Sequence, residues 1–206
     1  MRGDLGKLED VQEKVLRTAY HAQGNVIDRL RDLLTVVDIE EGRAVISKES
    51  ISLESLWGSI MSEFRKECQL KKIKFDYQPA DELMPKVFVD RHKIKEVFIQ
   101  LLRNAVDYTP EGGKIAASFS RENGQVKFQI TDNGVGIPKV EQPRIFTKFF
   151  RASNASAMVT DRSGIGLAIA KFYIMKHGGK IGFTSREGKG STFWFEIPVS
   201  FEENKI

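Results

Sequence analysis

The sequence predicts an α+β fold: a two-layer α/β sandwich preceded by a long helix. Three observations predict it. An apolar stripe of helical spacing fills residues 8–37. Beyond it, helical stretches and short alternating runs are segregated rather than strictly interleaved. The later alternating runs are joined by Asn123-Gly124 and by Glu187-Gly-Lys-Gly190, turn sequences that fold neighbouring strands back antiparallel.

The stripe consists of Leu8, Val11, Val15, Ala19, Ala22, Val26, Leu30, Leu33 and Val37, spaced by three and four. Charged residues lie between them, as on a helix that packs against another long helix in a bundle or dimer. Gly42 can end this helix, and Gly24 weakens its middle by ~1 kcal/mol relative to alanine. Residues 43–52 read as a connector. Leu53, Leu56, Trp57, Ile60, Met61, Phe64 and Cys68 then mark a second helix. Ile73 to Tyr77 alternates as a strand, and Lys86 to Val89 is another short extended run. Asp90 is a natural N-cap for a helix running to about Tyr108, before Pro110. Its apolar face is Ile94, Val97, Phe98, Leu101, Leu102 and Ala105; Glu96, Gln100, Asn104 and Asp107 lie opposite.

Strands are expected near 114–121 and 125–132. Residues 137–163 lack periodicity and read as a long, functional loop, with 138–163 expected to be poorly ordered until a ligand binds. A helix from about Ile165 to His177 and strands near 180–186 and 191–198 complete the chain.

The 206 residues provide for one domain of ordinary size and an appendage. Hydrophobic residues make up 41% and charged residues 29%, a globular balance. No apolar run nears the ~18 residues that cross a bilayer. The single cysteine, Cys68, precludes an internal disulfide. Both features lead to the expectation of a cytoplasmic setting, with any membrane anchor of the parent protein outside these residues. The net charge of +4 is scattered among acidic residues, so no nucleic-acid partner is expected.

Four motifs carry chemistry. Glu96, Gln100 and Asn104, spaced by four, stack along one helix side. A carboxamide there suits Mg²⁺ held mainly by phosphates, although many amphipathic helices show a polar face. Asp132-Asn-Gly-Val-Gly136 follows a strand; its carboxylate can accept from the exocyclic amine of adenine, and its glycines let a flat base approach backbone. The same pentapeptide also suits a simple β-turn. Ser163-Gly-Ile-Gly-Leu167 enters a helix, where exposed N–H groups favour an anion. Gly188-Lys-Gly-Ser-Thr192 joins the last strands and suits either phosphate contact or an ordinary hairpin.

In this order the motifs resemble the GHKL ATPase superfamily, the Bergerat ATP-binding fold, across roughly residues 53–200. Within it the chain resembles a sensor histidine kinase. Residues 100–110 (Gln-Leu-Leu-Arg-Asn-Ala-Val-Asp-Tyr-Thr-Pro) resemble the N box. Residues 143–151 (Pro-Arg-Ile-Phe-Thr-Lys-Phe-Phe-Arg) resemble the F box, and 162–171 the second glycine box. Residues 29–42 resemble the end of the second helix of a dimerisation and phosphotransfer hairpin.

The resemblance divides the chain into a partial hairpin (1–42), a connector (43–52), a catalytic ATP-binding domain (53–200) and a tail (201–206). It implies catalytic roles for Glu96, Gln100 and Asn104, with Asn104 and Gln100 toward Mg²⁺. Asp132 meets the adenine amine. Gly134, Gly136, Ile137, Gly164, Ile165, Gly166, Leu167 and Thr192 shape the ATP pocket, Tyr108 stacks near the base, and Lys148 or Arg151 reaches phosphate. The implied partners are the histidine-containing hairpin helix of the parent kinase, a response regulator receiver domain, and a second copy through residues 8–37.

Three features depart from the family pattern. Gln100 stands where the first N-box asparagine is usual. Asp107 stands where many kinases have a phosphate-contacting lysine. No histidine is followed by an acidic residue: His21 precedes Ala-Gln, His92 precedes Lys93, and His177 precedes Gly-Gly at a helix end, where capping is expected. The phosphoacceptor is therefore expected on a helix outside this sequence. A nucleotide-binding pseudokinase is the rival reading. An ATPase clamp of the gyrase or chaperone kind fits less well, because Gln100 stands where those enzymes carry a catalytic glutamate and cannot act as a general base.

Overall fold

A computed structural model of the chain describes residues 9–80, 83–158 and 162–199. Leu8, loop residues 159–161 and the expected tail at 201–206 lie outside the described residues, as do the side chains of Val11, Val15, Ala19, His21 and Ala22. The chain divides into two units. One is α1 (Asp10–Glu40) with the turn through Ala44 and residues 162–163; the other holds the rest, from Val45 onward.

In the first unit, the Glu9 N–H donates to Gln12 Oε1 at 3.1 Å, half of a capping box that starts α1. The helix stops where Gly42 takes φ +70°, a left-handed value that glycine adopts without strain. Along the expected stripe, Val26, Leu30 and Leu33 remain 54%, 56% and 45% exposed, an apolar face without cover at those positions.

The second unit is the two-layer sandwich. Its helices are α2 (Leu53–Leu70), α3 (Arg91–Tyr108), the short α4 (Ser153–Met158) and α5 (Gly166–Lys176). Strands β2 (Lys74–Gln78), β4 (Lys114–Glu122), β5 (Gln125–Asp132), β6 (Lys180–Arg186) and β7 (Gly190–Pro198) form one sheet in the order β2-β4-β5-β7-β6. All its pairs are antiparallel except β2 with β4. Asn123 and Gly124 both take positive φ, 50° and 72°, the turn that matches strand twist between β4 and β5.

Two stretches differ from the sequence reading. Within the expected connector, β1 (Glu49–Ile51) pairs antiparallel with β3 (Val87–Val89). The long loop contains a 3-10 turn at Gln142–Arg144 and the helix α4. Neither carries a periodic pattern, because both are short and held by contacts distant in sequence.

One sheet face is apolar and covered by helices; the other is open. Trp57 of α2 is fully buried with Phe98 of α3 and Phe128 of β5, its ring centroid 4.9 Å from that of Phe128. Phe64, Phe75, Phe119 and Phe195 extend this aromatic core, and such rings dominate core energetics by the area each buries.

Both ends of α3 are fixed. At the N-terminus, Asp90 accepts from the His92 and Lys93 N–H groups at 2.9 and 3.1 Å, and from Ser47 at 2.9 Å. Burial alone would raise the Asp90 pKa, but these N–H groups and nearby Lys93 outweigh it and hold the carboxyl below its usual range. At the C-terminus, Lys71 Nζ donates to the carbonyls of Val106 and Asp107 at 2.7 and 3.2 Å. His177, buried at the end of α5, accepts from the Asp90 N–H through Nε2 at 2.9 Å. Its Nδ1 lies 2.7 Å from the Tyr173 carbonyl, which assigns the proton to Nδ1. The expected cap thus also joins α5 to the start of α3.

Candidate nucleotide site

The site forms where the C-terminal half of α3, the ends of β5 and β7, and the start of α5 meet. Asp132, the last residue of β5, is only 7% exposed. Its Oδ1 accepts from Gly134 N–H at 2.8 Å and from Ser191 N–H at 3.3 Å. Among the described residues Oδ2 accepts no hydrogen bond. Burial pushes the carboxyl pKa up to about 6, the two N–H donors pulling in the opposite direction.

The turn after Asp132 rests on the end of α3. Val135 N–H donates to the Tyr108 carbonyl at 3.1 Å, and a Cβ on Gly134 would fall 2.1 Å from that same oxygen. Gly136, at φ +62°, lies on the Arg186 carbonyl, where a Cβ would again come within 2.1 Å. Gly190 lies as closely on the Asp132 carbonyl. The adjoining backbone thus excludes side chains at these glycines.

Glu96, Gln100 and Asn104 occupy one side of α3, all half-buried. The carboxamide of Gln100 lies against Gly166, at the first turn of α5. Ile165, the residue before that helix, is buried, and Leu167 is half-buried. Gly164, at φ +71°, lies on the backbone of Phe149 and Phe150 and beside Arg151 Cγ, so the F-box-like segment and the glycine turn are in direct contact. Lys148 and Arg151 are half-buried on that segment. Ile137 is buried, and its N–H donates to Ser185 Oγ at 2.9 Å.

One expected residue does not join the others. Thr192 faces the open side of the sheet, its Oγ1 2.9 Å from Thr131 Oγ1. The register pairs Asp132 with Ser191 instead, so Ser191 presents its N–H to the carboxylate. Its hydroxyl lies 2.9 Å from Ser185 Oγ, which donates to the Gly190 carbonyl at 3.0 Å. Asn154 of α4 is a further residue that sequence reading missed. Its Nδ2 donates to the carbonyls of Val135 and Gly136 at 3.3 and 3.0 Å, tying the lid to the Asp132 turn. No spacing rule marks either residue, since both act through contacts distant in sequence.

A hollow of about 460 Å³ lies on the open sheet face, lined by Lys74, Asp76, Lys114, Thr131 and Lys189; of the expected site it shares only Asp132. The glycine turns and the α3 polar face do not line it.

The profile of the Histidine kinase-, DNA gyrase B-, and HSP90-like ATPase family matches residues 89–200, a span that contains every residue of this site. The chain belongs to that family. Among curated relatives, the adaptive-response sensory kinase SasA of Prochlorococcus marinus (strain MIT 9301) is 31% identical over 204 residues. That alignment covers 98% of this chain and 52% of the relative. The sensory/regulatory protein RpfC of Xanthomonas campestris is 27% identical over 96% of this chain and 28% of its own length. The chain thus spans about half or less of these curated relatives.

Among solved structures, the catalytic domain of histidine kinase ThkA is similar with TM-score 0.64 and 31% identity, over 74% of this chain and 95% of that one. ShkA in complex with AMPPNP is similar with TM-score 0.74 and 26% identity, over 94% of this chain and 40% of that one. The ATPase-family fold seen here is the Bergerat fold, and the chain carries the ATP-binding catalytic region of the histidine kinase kind.

Proposed function

We propose that this region binds ATP with Asp132 against the adenine amine, and that the parent protein transfers the γ-phosphoryl group to a histidine on a hairpin helix outside this sequence. The observation that carries the reading is the division of labour at Asp132: Oδ1 is held by two backbone N–H groups, while Oδ2 accepts no hydrogen bond among the described residues. A carboxylate accepts from the amine of adenine, whereas guanine presents a carbonyl there. The glycine turns bring backbone, without side chains, around the same point.

The donor set also fits Mg²⁺. The ion would be held by the phosphates, with Asn104, half-buried on α3, supplying a protein oxygen. When bound, Mg²⁺ neutralises charge on the phosphates. The chain's own residues bind and orient: Asp132 recognises the base, Tyr108 supports the turn beneath it, and the start of α5 offers N–H groups to phosphate. Lys148 and Arg151 on the lid are cations able to approach the triphosphate. Phosphoryl transfer is dominated by such positioning and electrostatics.

ThkA has been crystallised in complex with the response regulator protein TrrA and is similar to this chain with TM-score 0.69 and 27% identity. That likeness supports a response regulator receiver domain as the downstream partner. The exposed stripe on α1 supports pairing with a second helix, in the parent hairpin or in another copy. No helix among the described residues is long and apolar enough to cross a membrane.

Asp107, an anion where many kinases carry a phosphate-contacting cation, favours the pseudokinase as the second reading. Incubation with γ-labelled ATP and an added histidine-bearing hairpin separates the two. Acid-labile label on the hairpin is expected; nucleotide binding without any transfer would favour the pseudokinase, and label on His21 would overturn the external phosphoacceptor.

A further inference from the structure

We infer that Gln100 is a positioning residue that sets the distance between the α3 polar face and the phosphate turn at Gly166, and is not a metal ligand. The inference rests on the nucleotide site proposed above and assigns its departure from the family's asparagine.

The glycines of the site differ in what surrounds them. Gly136, Gly164 and Gly190 take φ of +62°, +71° and +99°, where any L side chain is strained. Gly166 does not; it begins a regular helix, where its backbone would accept any residue. What fills the space beside it is the Gln100 side chain. A Cβ at position 166 would lie 2.1 Å from Gln100 Oε1, 2.8 Å from Cδ and 3.5 Å from Cγ. The whole end of the Gln100 side chain therefore occupies the space that glycine leaves open.

Length explains the pairing. Asparagine is shorter by one methylene, about 1.5 Å of reach, and would leave a gap between α3 and α5. Gln100 lies one turn before Asn104 on the same side of α3, so the contact fixes how far the first turn of α5 stands from Asn104. The Gln100 carboxamide is taken up by packing on Gly166 at the start of α5, and the metal is left to Asn104. Gln100 and Gly166 thus form a matched pair: the longer side chain and the absent side chain compensate each other.

The test is a calorimetric titration of ATP and of adenosine into the wild type and variants at both positions, with Mg²⁺ and again with EDTA. Gln100→Ala and Gln100→Asn are expected to weaken ATP about tenfold, the scale on which a small misplacement acts. The loss should be equal with and without Mg²⁺, and adenosine binding should not change. Gln100→Met, of matching length but unable to ligate Mg²⁺ well, should recover most of the affinity. Gly166→Ala should displace Gln100 and weaken ATP similarly, while Gln100→Ala with Gly166→Ala should be no weaker than the worse single variant. A loss that disappears in EDTA, a Met variant as weak as Ala, or additive losses would each overturn the inference. Circular dichroism melting of each variant separates lost affinity from lost fold. Failure of the wild type to bind either ligand would instead overturn the nucleotide site itself.

Discussion

Replacing Asp132 by asparagine preserves the shape of the side chain and changes one oxygen to a nitrogen. The remaining oxygen can stay with Gly134 and Ser191, whose N–H groups lie 2.8 and 3.3 Å from Oδ1. The amide nitrogen then takes the place of Oδ2 and opposes the adenine amine donor to donor. Losing a hydrogen bond to a charged acceptor costs about 1–3 kcal/mol, so ATP should bind ~5- to ~150-fold more weakly. The empty protein should respond in the opposite direction. Burial lifts the carboxyl pKa from 3.8 to about 6. Between these values the folded protein holds a proton that the unfolded chain releases, so stability falls as pH rises through this window and stays lower above it. The gap amounts to about 3 kcal/mol at most. The asparagine variant has no such charge to bury, so it should melt no lower than wild type at pH 7–8 and lack the slope between pH 4 and 6. Calorimetry with ATP and with inosine triphosphate, which carries a carbonyl in place of the amine, reads the recognition directly. The variant's N–H can donate to that carbonyl, so its preference for ATP should shrink or invert. Unchanged ATP affinity together with an unchanged preference would refute the reasoning.

Two further outcomes are expected. Gly134→Ala places a Cβ 2.1 Å from the Tyr108 backbone oxygen and 2.8 Å from Asp132 Oδ1. It should lower stability by about 1–3 kcal/mol and reduce ATP affinity more than ~10-fold; a variant that melts and binds like wild type would show that the turn can yield. His177→Ala leaves the buried Asp90 N–H unpaired and should cost about 1–3 kcal/mol in denaturant unfolding at pH 8. Burial holds the His177 pKa below its ordinary 6.5, so its contribution is present above that pH and is lost as pH falls through the lowered value. The difference between wild type and variant should therefore narrow as pH falls below 6.5, and a difference constant down to acid unfolding would remove His177 from the pH response.

What the sequence alone determined is local. Periodicity placed α2 and α3; Asp90 marked the start of α3 and Pro110 its end; Asn123-Gly124 marked the hairpin, because caps and positive-φ turns are properties of a few adjacent residues. The order of the glycine motifs pointed to Asp132 and to the ATPase family. Only the tertiary structure decided the rest. β1 is a strand because β3 pairs with it, not because Glu49-Ser-Ile has a pattern of its own. Ser191 gives its N–H to Asp132 while the Thr192 side chain lies on the opposite sheet face, because pairing with β5 sets the register. Likewise, the reach of Gln100 acquires meaning only when packing brings Gly166, far along the chain, against it. Such contacts depend on the closure of long loops around a core, and no short window of residues encodes that.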